Sequence, residues 1–341
     1  MLSLDGSYGE GGGQILRTAL SLAALTGTPI RMGRIRAARS KAGLRPQHLT
    51  AVQAVARLSQ AEVAGAYLGS QDLSFRPRRL RGGHYVFDVA ETTRSAGAVS
   101  LIVQALLPLL LKAESPATVI LKGGTHVPWS PPVHYLSHVF LPALAVMGPE
   151  VNLTLERWGW YPRGGGEVRL STRPTRPLTG VQWRAPADAA AFQALSAAAK
   201  LPEHVARRQA ARVAARLGEA APVAIVPAGG QDPGSLVFVW GPRAGFSALG
   251  VRGKPAEQVA DEAVEAYLAF RASGAALDRH LADQMLIYLA LAKGPSIFTT
   301  EAVTSHLLTN VWVIEQFLGP TFEVRGNPGE PGEIFCRGAI I

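Results

Sequence analysis

One order of elements recurs three times along these 341 residues, and that recurrence restricts the possible folds more than any other feature. Each copy has an apolar helix, a strand, a second helix opened by Pro or Thr, and further strands. In the first copy the helix runs Gln14–Leu25 and stops at Thr26-Gly27-Thr28-Pro29. A strand Ile30–Ile35, a helix Pro46–Ser59 and a strand Glu62–Tyr67 follow, and Leu73–Arg76 with Tyr85–Val89 is predicted as a hairpin across Arg81-Gly82-Gly83. The second copy has a helix Ala98–Lys112, which Pro108 is expected to kink or end, a strand Thr118–Leu121, a helix Pro132–Met147 and a strand Val151–Glu156, with a hairpin turning at Arg163-Gly164-Gly165-Gly166. The third has a helix Leu281–Ala292, a strand Ser296–Thr299, a helix Val303–Leu318, a strand Phe322–Arg325 and a last strand to Ile341. The first helices are apolar nearly all round and so are expected to be buried. The pattern predicts an α/β (α+β) architecture of three sheet-and-helix units around shared cores.

Residues 174–274 break the recurrence. They read as a strand Gly180–Trp183, a helix Pro202–Leu217, strands Val223–Val226 and Ser235–Trp240, and a helix Pro255–Ala272. Thr172-Arg173-Pro174-Thr175-Arg176-Pro177 reads as the linker in and Ser273-Gly274 as the linker out. We expect a small α/β domain, 174–274, inserted in a larger one made of 1–173 and 275–341.

The working centre is expected at Asp5-Gly6-Ser7-Tyr8-Gly9-Glu10-Gly11-Gly12-Gly13-Gln14, between a strand Leu2–Leu4 and the first helix. A glycine loop that opens a helix presents free N–H groups and a positive dipole end, which suit phosphate. Glu10 would repel bare phosphate but would hold a Mg²⁺ that rides on it. A glycine-rich turn with no ligand is the alternative. The loop is not a P-loop, since no Gly-Lys-Ser/Thr follows, and the last glycine of a dinucleotide fingerprint would fall on Gln14.

Charge points to the partner. A net charge of +9 and a pI near 10.0 favour a polyanion, nucleic acid above all, although an Ala-, Gly-, Pro- and Arg-rich composition would produce the same figures. The single cysteine, Cys336, rules out an internal disulfide or thiolate cluster. The longest apolar run, Ala105–Leu111, contains Pro108 and is far short of a membrane span, and no signal peptide is visible, so a soluble cytoplasmic protein is expected.

Several residue groups are candidates for chemistry. Arg36, Arg39, Lys41 and Arg45 crowd together just ahead of Gln47 and His48, and with Arg17 they would form a basic pocket for phosphate; a solvated loop is the alternative. Gln104 lies in an apolar helix and must find a partner, either a ligand or a backbone carbonyl. His280-Leu281-Ala282-Asp283-Gln284 opens a helix, where Asp and Gln serve as caps or read a base. His134 and His138 have a metal-ligand spacing without the Glu of the zinc-protease pattern. His306, in Thr304-Ser305-His306-Leu307-Leu308-Thr309-Asn310, starts a helix whose dipole is expected to lower its pKa and leave a neutral nucleophile able to attack phosphorus.

Together the blocks Asp5-Gly6, Gly9–Arg17, Ile35-Arg36-Ala37, Gln47-His48-Leu49, Leu281–Gln284 and Ser305–Asn310 closely resemble those of the RNA 3′-terminal phosphate cyclases, end to end apart from the insertion, which is similar mainly in position. The resemblance implies three repeats of a four-stranded sheet with two helices. It implies that His306 attacks the α-phosphorus of ATP and carries AMP, that AMP passes to an RNA 3′-phosphate, and that the 2′-hydroxyl then closes a 2′,3′-cyclic phosphate. By the same resemblance Glu10 holds Mg²⁺ or Mn²⁺; Glu10, Gln104, His280, Leu281, Ala282, Asp283 and Gln284 bind the adenylate; and Arg17, Arg36, Arg39, Gln47 and His48 take substrate phosphates. The implied partner is an RNA with a 3′-phosphate end, with no membrane, and the oligomeric state is left open. Some members carry Tyr where this chain has His280. Two other readings compete. One is a binding-only relative, disfavoured by His306; the other is an enolpyruvyl transferase, which needs no nucleophilic histidine. A lysine-type ligase is set aside because no Lys-x-Asp-Gly occurs.

Overall fold

The computed structural model describes residues 1–91, 96–174, 177–187, 192–218 and 222–339. Thr175 and Arg176 of the expected linker, and residues 340–341 of the last expected strand, lie outside them.

Strand β1 (Leu2–Asp5) leads through the glycine loop into helix α1 (Gly13–Thr26), followed by β2 (Ile30–Gly33), α2 (Pro46–Ser59), β3 (Glu62–Ala64) and β4 (Leu73–Arg76). Gly27, in the left-handed region, closes α1, and Pro46 opens α2, where its missing N–H is not needed. The four strands form one sheet in the order β1-β2-β4-β3, with β1 parallel to β2 and the other pairs antiparallel. Both edges of β4 are therefore taken by β2 and β3. The expected hairpin of Leu73–Arg76 with Tyr85–Val89 does not form for that reason.

Instead β5 (Gly83–Asp88) starts a second sheet. Helix α3 (Val99–Lys112) continues through Pro108 and does not end there. After β6 (Ala117–Gly123) the expected helix at Pro132–Met147 is broken into α4 (Val133–Tyr135), a π turn Leu136–Phe140 and α5 (Leu141–Ala145). Pro142, in the first turn of α5, has no N–H and crowds the carbonyl one turn back, and the wider π turn accommodates it. Strands β7 (Val151–Arg157) and β8 (Gly166–Thr172) complete the order β5-β6-β8-β7, and the hairpin expected at 163–166 joins them.

Strand β9 (Gln182–Trp183) follows. The next run holds β10 (Gln193–Ala199), α6 (His204–Leu217), β11 (Val223–Pro227), β12 (Gly234–Gly241), β13 (Ala244–Leu249) and α7 (Ala256–Ser273), with a sheet in the order β11-β10-β12-β13. The sequence reading contains neither β10 nor β13; the first is alanine-rich and the second holds Ala, Gly and Ser, residues of weak strand propensity that gain order from their neighbours. The chain ends in α8 (Arg279–Ala290), β14 (Ser296–Thr300), α9 (Ser305–Leu318), β15 (Phe322–Arg325) and β16 (Gly332–Cys336). Their sheet has the order β9-β14-β16-β15, so Gln182–Trp183 pairs with the C-terminal strands and not with its sequence neighbours β10–β13. In three of these sheets the first strand is parallel to the second, and the fourth lies antiparallel between the second and third.

Helices α1, α3, α8 and α9 meet at the centre, α1 packing against α3 and α9, and α3 against α8. Ile15, Leu16, Leu20 and Leu22 are fully buried, at about 1.5–3 kcal/mol each. No helix among the described residues is long and apolar enough to cross a membrane.

Candidate active site

Up to its last turn, helix α1 is apolar except for a stripe of Gln14, Arg17, Thr18 and Ser21, which helical spacing places on one side. That stripe lines a cleft of about 430 Å³, counting space open to solvent, with Gln104 of α3, Phe140 of the π turn, Asp283, Gln284, Ile287 and Tyr288 of α8, and His306 and Asn310 of α9.

Asp283 is the hub. Its Oδ2 lies 2.7 Å from His306 Nδ1, and its Oδ1 accepts from Gln14 Nε2 at 2.8 Å and Asn310 Nδ2 at 2.6 Å. Gln14 Nε2 also donates to the His306 carbonyl at 2.7 Å, and Thr18 Oγ1 donates to Asn310 Oδ1 at 2.7 Å. The caps set the helices' starting points. The Asp278 side chain accepts from the N–H groups of His280 and Leu281 at the start of α8, and Thr304 Oγ1 accepts from Leu307 N–H at the start of α9. Burial disfavours the charged His306 ring, but the Asp283 carboxylate outweighs it, with Arg17 opposing and Glu10 assisting, so the pKa is raised. The expectation of a lowered value is thus corrected: a carboxylate in hydrogen-bond contact exceeds the field of a helix terminus.

The glycine loop lets other elements come close. A Cβ on Gly13 would collide with the His48 ring, and Arg17 Nη1 would lie only 3.2 Å from it. Gly12 is faced by Arg39, whose guanidinium is 3.6 Å from Glu10. Burial, with Arg17, Arg36 and Arg45 nearby, holds His48 well below its ordinary pKa, hence neutral. Its Nδ1 accepts from Arg45 N–H at 3.1 Å, which leaves the proton on Nε2, toward Gly13.

The other expected groups are placed unequally. Arg36 donates to the carbonyls of Lys41 and Gly43, shaping its own loop, and Gln47 Oε1 accepts from Ala98 N–H at 3.2 Å. Leu281 and Ala282 are wholly buried in the core and His280 is exposed, so of that segment Asp283 and Gln284 face the cleft. Nδ1 of His134 meets Nε2 of His126 at 2.8 Å; both rings pack on Trp158, and His138 stacks on Trp240. Among the described residues no group of three His, Cys, Asp or Glu side chains is placed to hold a metal.

The cleft holds polar groups with nothing to bind. Gln284 Oε1 and Tyr288 Oη are buried without hydrogen-bond partners. Arg17, 9% exposed, forms no ion pair among the described residues, and burial lowers its pKa to about 10 despite Asp283. Such groups are costly unless a ligand completes them, and a purine nucleotide with its phosphates fits this set of donors and acceptors. The Glu10 carboxylate on the glycine loop, 3.6 Å from Arg39, suits Mg²⁺ or Mn²⁺ shared with phosphate oxygens. Sequence reasoning missed Gln14, Thr18, Asn310 and Tyr288 as lining groups; the polar stripe on an apolar α1 was the available signal.

A cleft that combines a carboxylate-backed imidazole with a buried guanidinium lacking an ion pair, next to a glycine loop, marks an enzyme of phosphate chemistry. The family model described as RNA 3′-terminal phosphate cyclase matches residues 8–324. The RNA 3′-terminal phosphate cyclase of Methylococcus capsulatus is 52% identical over 93% of this chain and 91% of its own length. Those of Thermococcus onnurineus and Pyrobaculum neutrophilum are 46% and 45% identical, covering 98% and 94% of both chains respectively. The chain belongs to the RNA 3′-terminal phosphate cyclase family.

Proposed function

We propose that this enzyme uses ATP to convert an RNA 3′-terminal phosphate to a 2′,3′-cyclic phosphate by way of AMP carried on His306. The observation that carries the reading is the 2.7 Å contact of His306 Nδ1 with Asp283. It holds the neutral ring with its proton on Nδ1, so the lone pair is on Nε2. Nε2 attacks the α-phosphorus of ATP, the bond to the bridging oxygen breaks, and pyrophosphate leaves. An oxygen of the RNA 3′-phosphate then attacks the same phosphorus and the P–N bond breaks, returning the ring to its starting state. Finally the 2′-hydroxyl attacks the activated 3′-phosphorus, losing its proton, and AMP departs. A phosphate monoester dianion has no good leaving group, and adenylation supplies one. The 2′-hydroxyl is already in reach, so little orientational entropy remains to be lost.

Arg17, Arg39, His48 and the N–H groups at the start of α1 take the phosphates, with Arg36 and Gln47 shaping that wall; Gln104, Asp283 and Gln284 face the adenylate. Glu10 would hold Mg²⁺ or Mn²⁺, which when bound neutralises charge on the leaving pyrophosphate. We extend the proposal to the domain plan, with the entry boundary of the expected 174–274 insert moved past β9 because that strand pairs with β14: 1–183 and 275–341 make one three-repeat body around an insert that begins after Trp183.

Incubation with α-³²P-labelled ATP and Mg²⁺ tests the reading. We expect an acid-labile protein label, absent in His306→Ala, that is discharged by an RNA 3′-phosphate oligonucleotide as a cyclic end appears. Wild-type protein that takes no label would refute it.

A further inference from the structure

The tip of the glycine loop carries Glu10, yet the loop's own hydrogen bonds secure mainly its base. Gly6 N–H reaches Gly33, Ser7 bonds Asp5, and Gly11 N–H closes a turn on Tyr8 at 2.9 Å. Besides the exposed ion pair of Glu10 with Arg39, 3.6 Å apart, what ties the tip to the rest of the protein is a pair of contacts with α9. The Tyr8 ring stacks on Trp312 with centroids 4.0 Å apart and planes 14° from parallel. Gly9, at φ +55°, sits directly against the Thr309 side chain, whose hydroxyl is fixed by donating to the Ser305 carbonyl at 2.6 Å. Trp312 and Thr309 stand on the helix that carries His306 at its start, and Tyr8 stands two residues before Glu10.

From this geometry we infer that the Tyr8–Trp312 stack is a clasp that fixes the glycine loop on α9 and so sets Glu10 against His306, making Tyr8 and Trp312 positioning residues for adenylyl transfer. The inference rests on the function proposed above. Neither side chain is among the residues that line the cleft. The Tyr8 hydroxyl makes no hydrogen bond among the described residues, so the ring face is what matters, and phenylalanine should serve as well. Tyr8 is still 45% exposed, so its removal opens no core cavity and leaves the fold intact.

The test compares Tyr8→Ala, Tyr8→Phe, Trp312→Leu and wild type by three readouts: the first-order rate constant for protein labelling at saturating ATP, the KM for ATP, and hydrogen exchange of amides 8–13 without ligand. Aromatic pairing of this kind corresponds to roughly a two- to tenfold shift in the clasped population. We expect Tyr8→Ala and Trp312→Leu to lower the labelling rate constant by about three- to tenfold and to speed loop exchange by a similar factor. KM should stay within about twofold, with Tyr8→Phe restoring both rates. A general loss of structure would move exchange everywhere and would not be restored selectively. Labelling and exchange unchanged in Tyr8→Ala would overturn the clasp while leaving the proposed function standing. A wild type that takes no label would remove the adenylyl reading and with it the role assigned to Tyr8.

Discussion

Replacing Asp283 by Asn changes one atom and tests the centre of the mechanism. Oδ1 of Asp283 faces two donors, Gln14 Nε2 and Asn310 Nδ2, whereas Oδ2 faces only His306 Nδ1. The amide oxygen will therefore take the place of Oδ1, because the reverse orientation sets an NH₂ against two buried donors. The NH₂ then meets His306 Nδ1, which must become the acceptor, and the ring proton moves to Nε2, where it blocks the nucleophile. Restoring the working tautomer means forgoing a hydrogen bond, about 1–3 kcal/mol, or roughly a 10- to 100-fold loss in labelling rate. The upper part of that range is excluded for the electrostatic share alone, because the His306 side chain is 40% exposed and solvent screens it. The pH profile supplies a second readout. The Asp283 carboxylate raises the His306 pKa, and protonated His306 cannot attack, so wild-type labelling should rise with pH through that raised value. Without the carboxylate the acid limb should move to lower pH even as the maximum falls. The linked stability behaves consistently: the contribution of this pair is complete below the unfolded histidine pKa and is lost as pH rises through the folded one, a dependence that Asp283→Asn should abolish. The measurement is quench-flow with α-³²P-labelled ATP between pH 5 and 9, alongside thermal unfolding. An Asp283→Asn protein that labels at the wild-type rate with an unmoved acid limb would refute the reasoning.

Arg17→Met should stabilise the ligand-free protein by about 1–3 kcal/mol in denaturant unfolding, since it replaces an uncompensated buried cation, while lowering labelling by about 10- to 100-fold. Gly13→Ala places a methyl group against the His48 ring, and we expect about 1–3 kcal/mol lost in unfolding together with weaker ATP binding by calorimetry. Asp278→Ala removes the cap of α8 and strands Tyr135 Oη and Gly245 N–H in the core; a loss of about 3–5 kcal/mol should appear as a large drop in the unfolding midpoint.

Much of the site could be read before any fold was known. Gly9 and Gly13 stand where only the smallest residue permits the contacts with Thr309 and His48, and polar residues in otherwise apolar helices, such as Gln104, Asp283 and Gln284, carry their own signal. The role of Asp283 was less legible. As a residue near a helix start it reads as a cap or a base-recognition group, but Asp278 caps α8, and Asp283, a turn further in, faces His306. The partnership of β5 with β6, and of β9 with β14, was hidden because strand patterning records which face is buried and not which edge is free.

By itself the sequence determined which helices are buried and which residues can supply charge, since these follow from propensity and period over neighbouring residues. Tertiary structure alone decided which charges meet. The raised pKa of His306, the empty-handed guanidinium of Arg17 and the stack of Tyr8 on Trp312 each depend on groups far apart in the chain arriving within a few ångströms. Hydrogen bonds and Coulomb forces are settled at that range, where spacing along the chain carries no information.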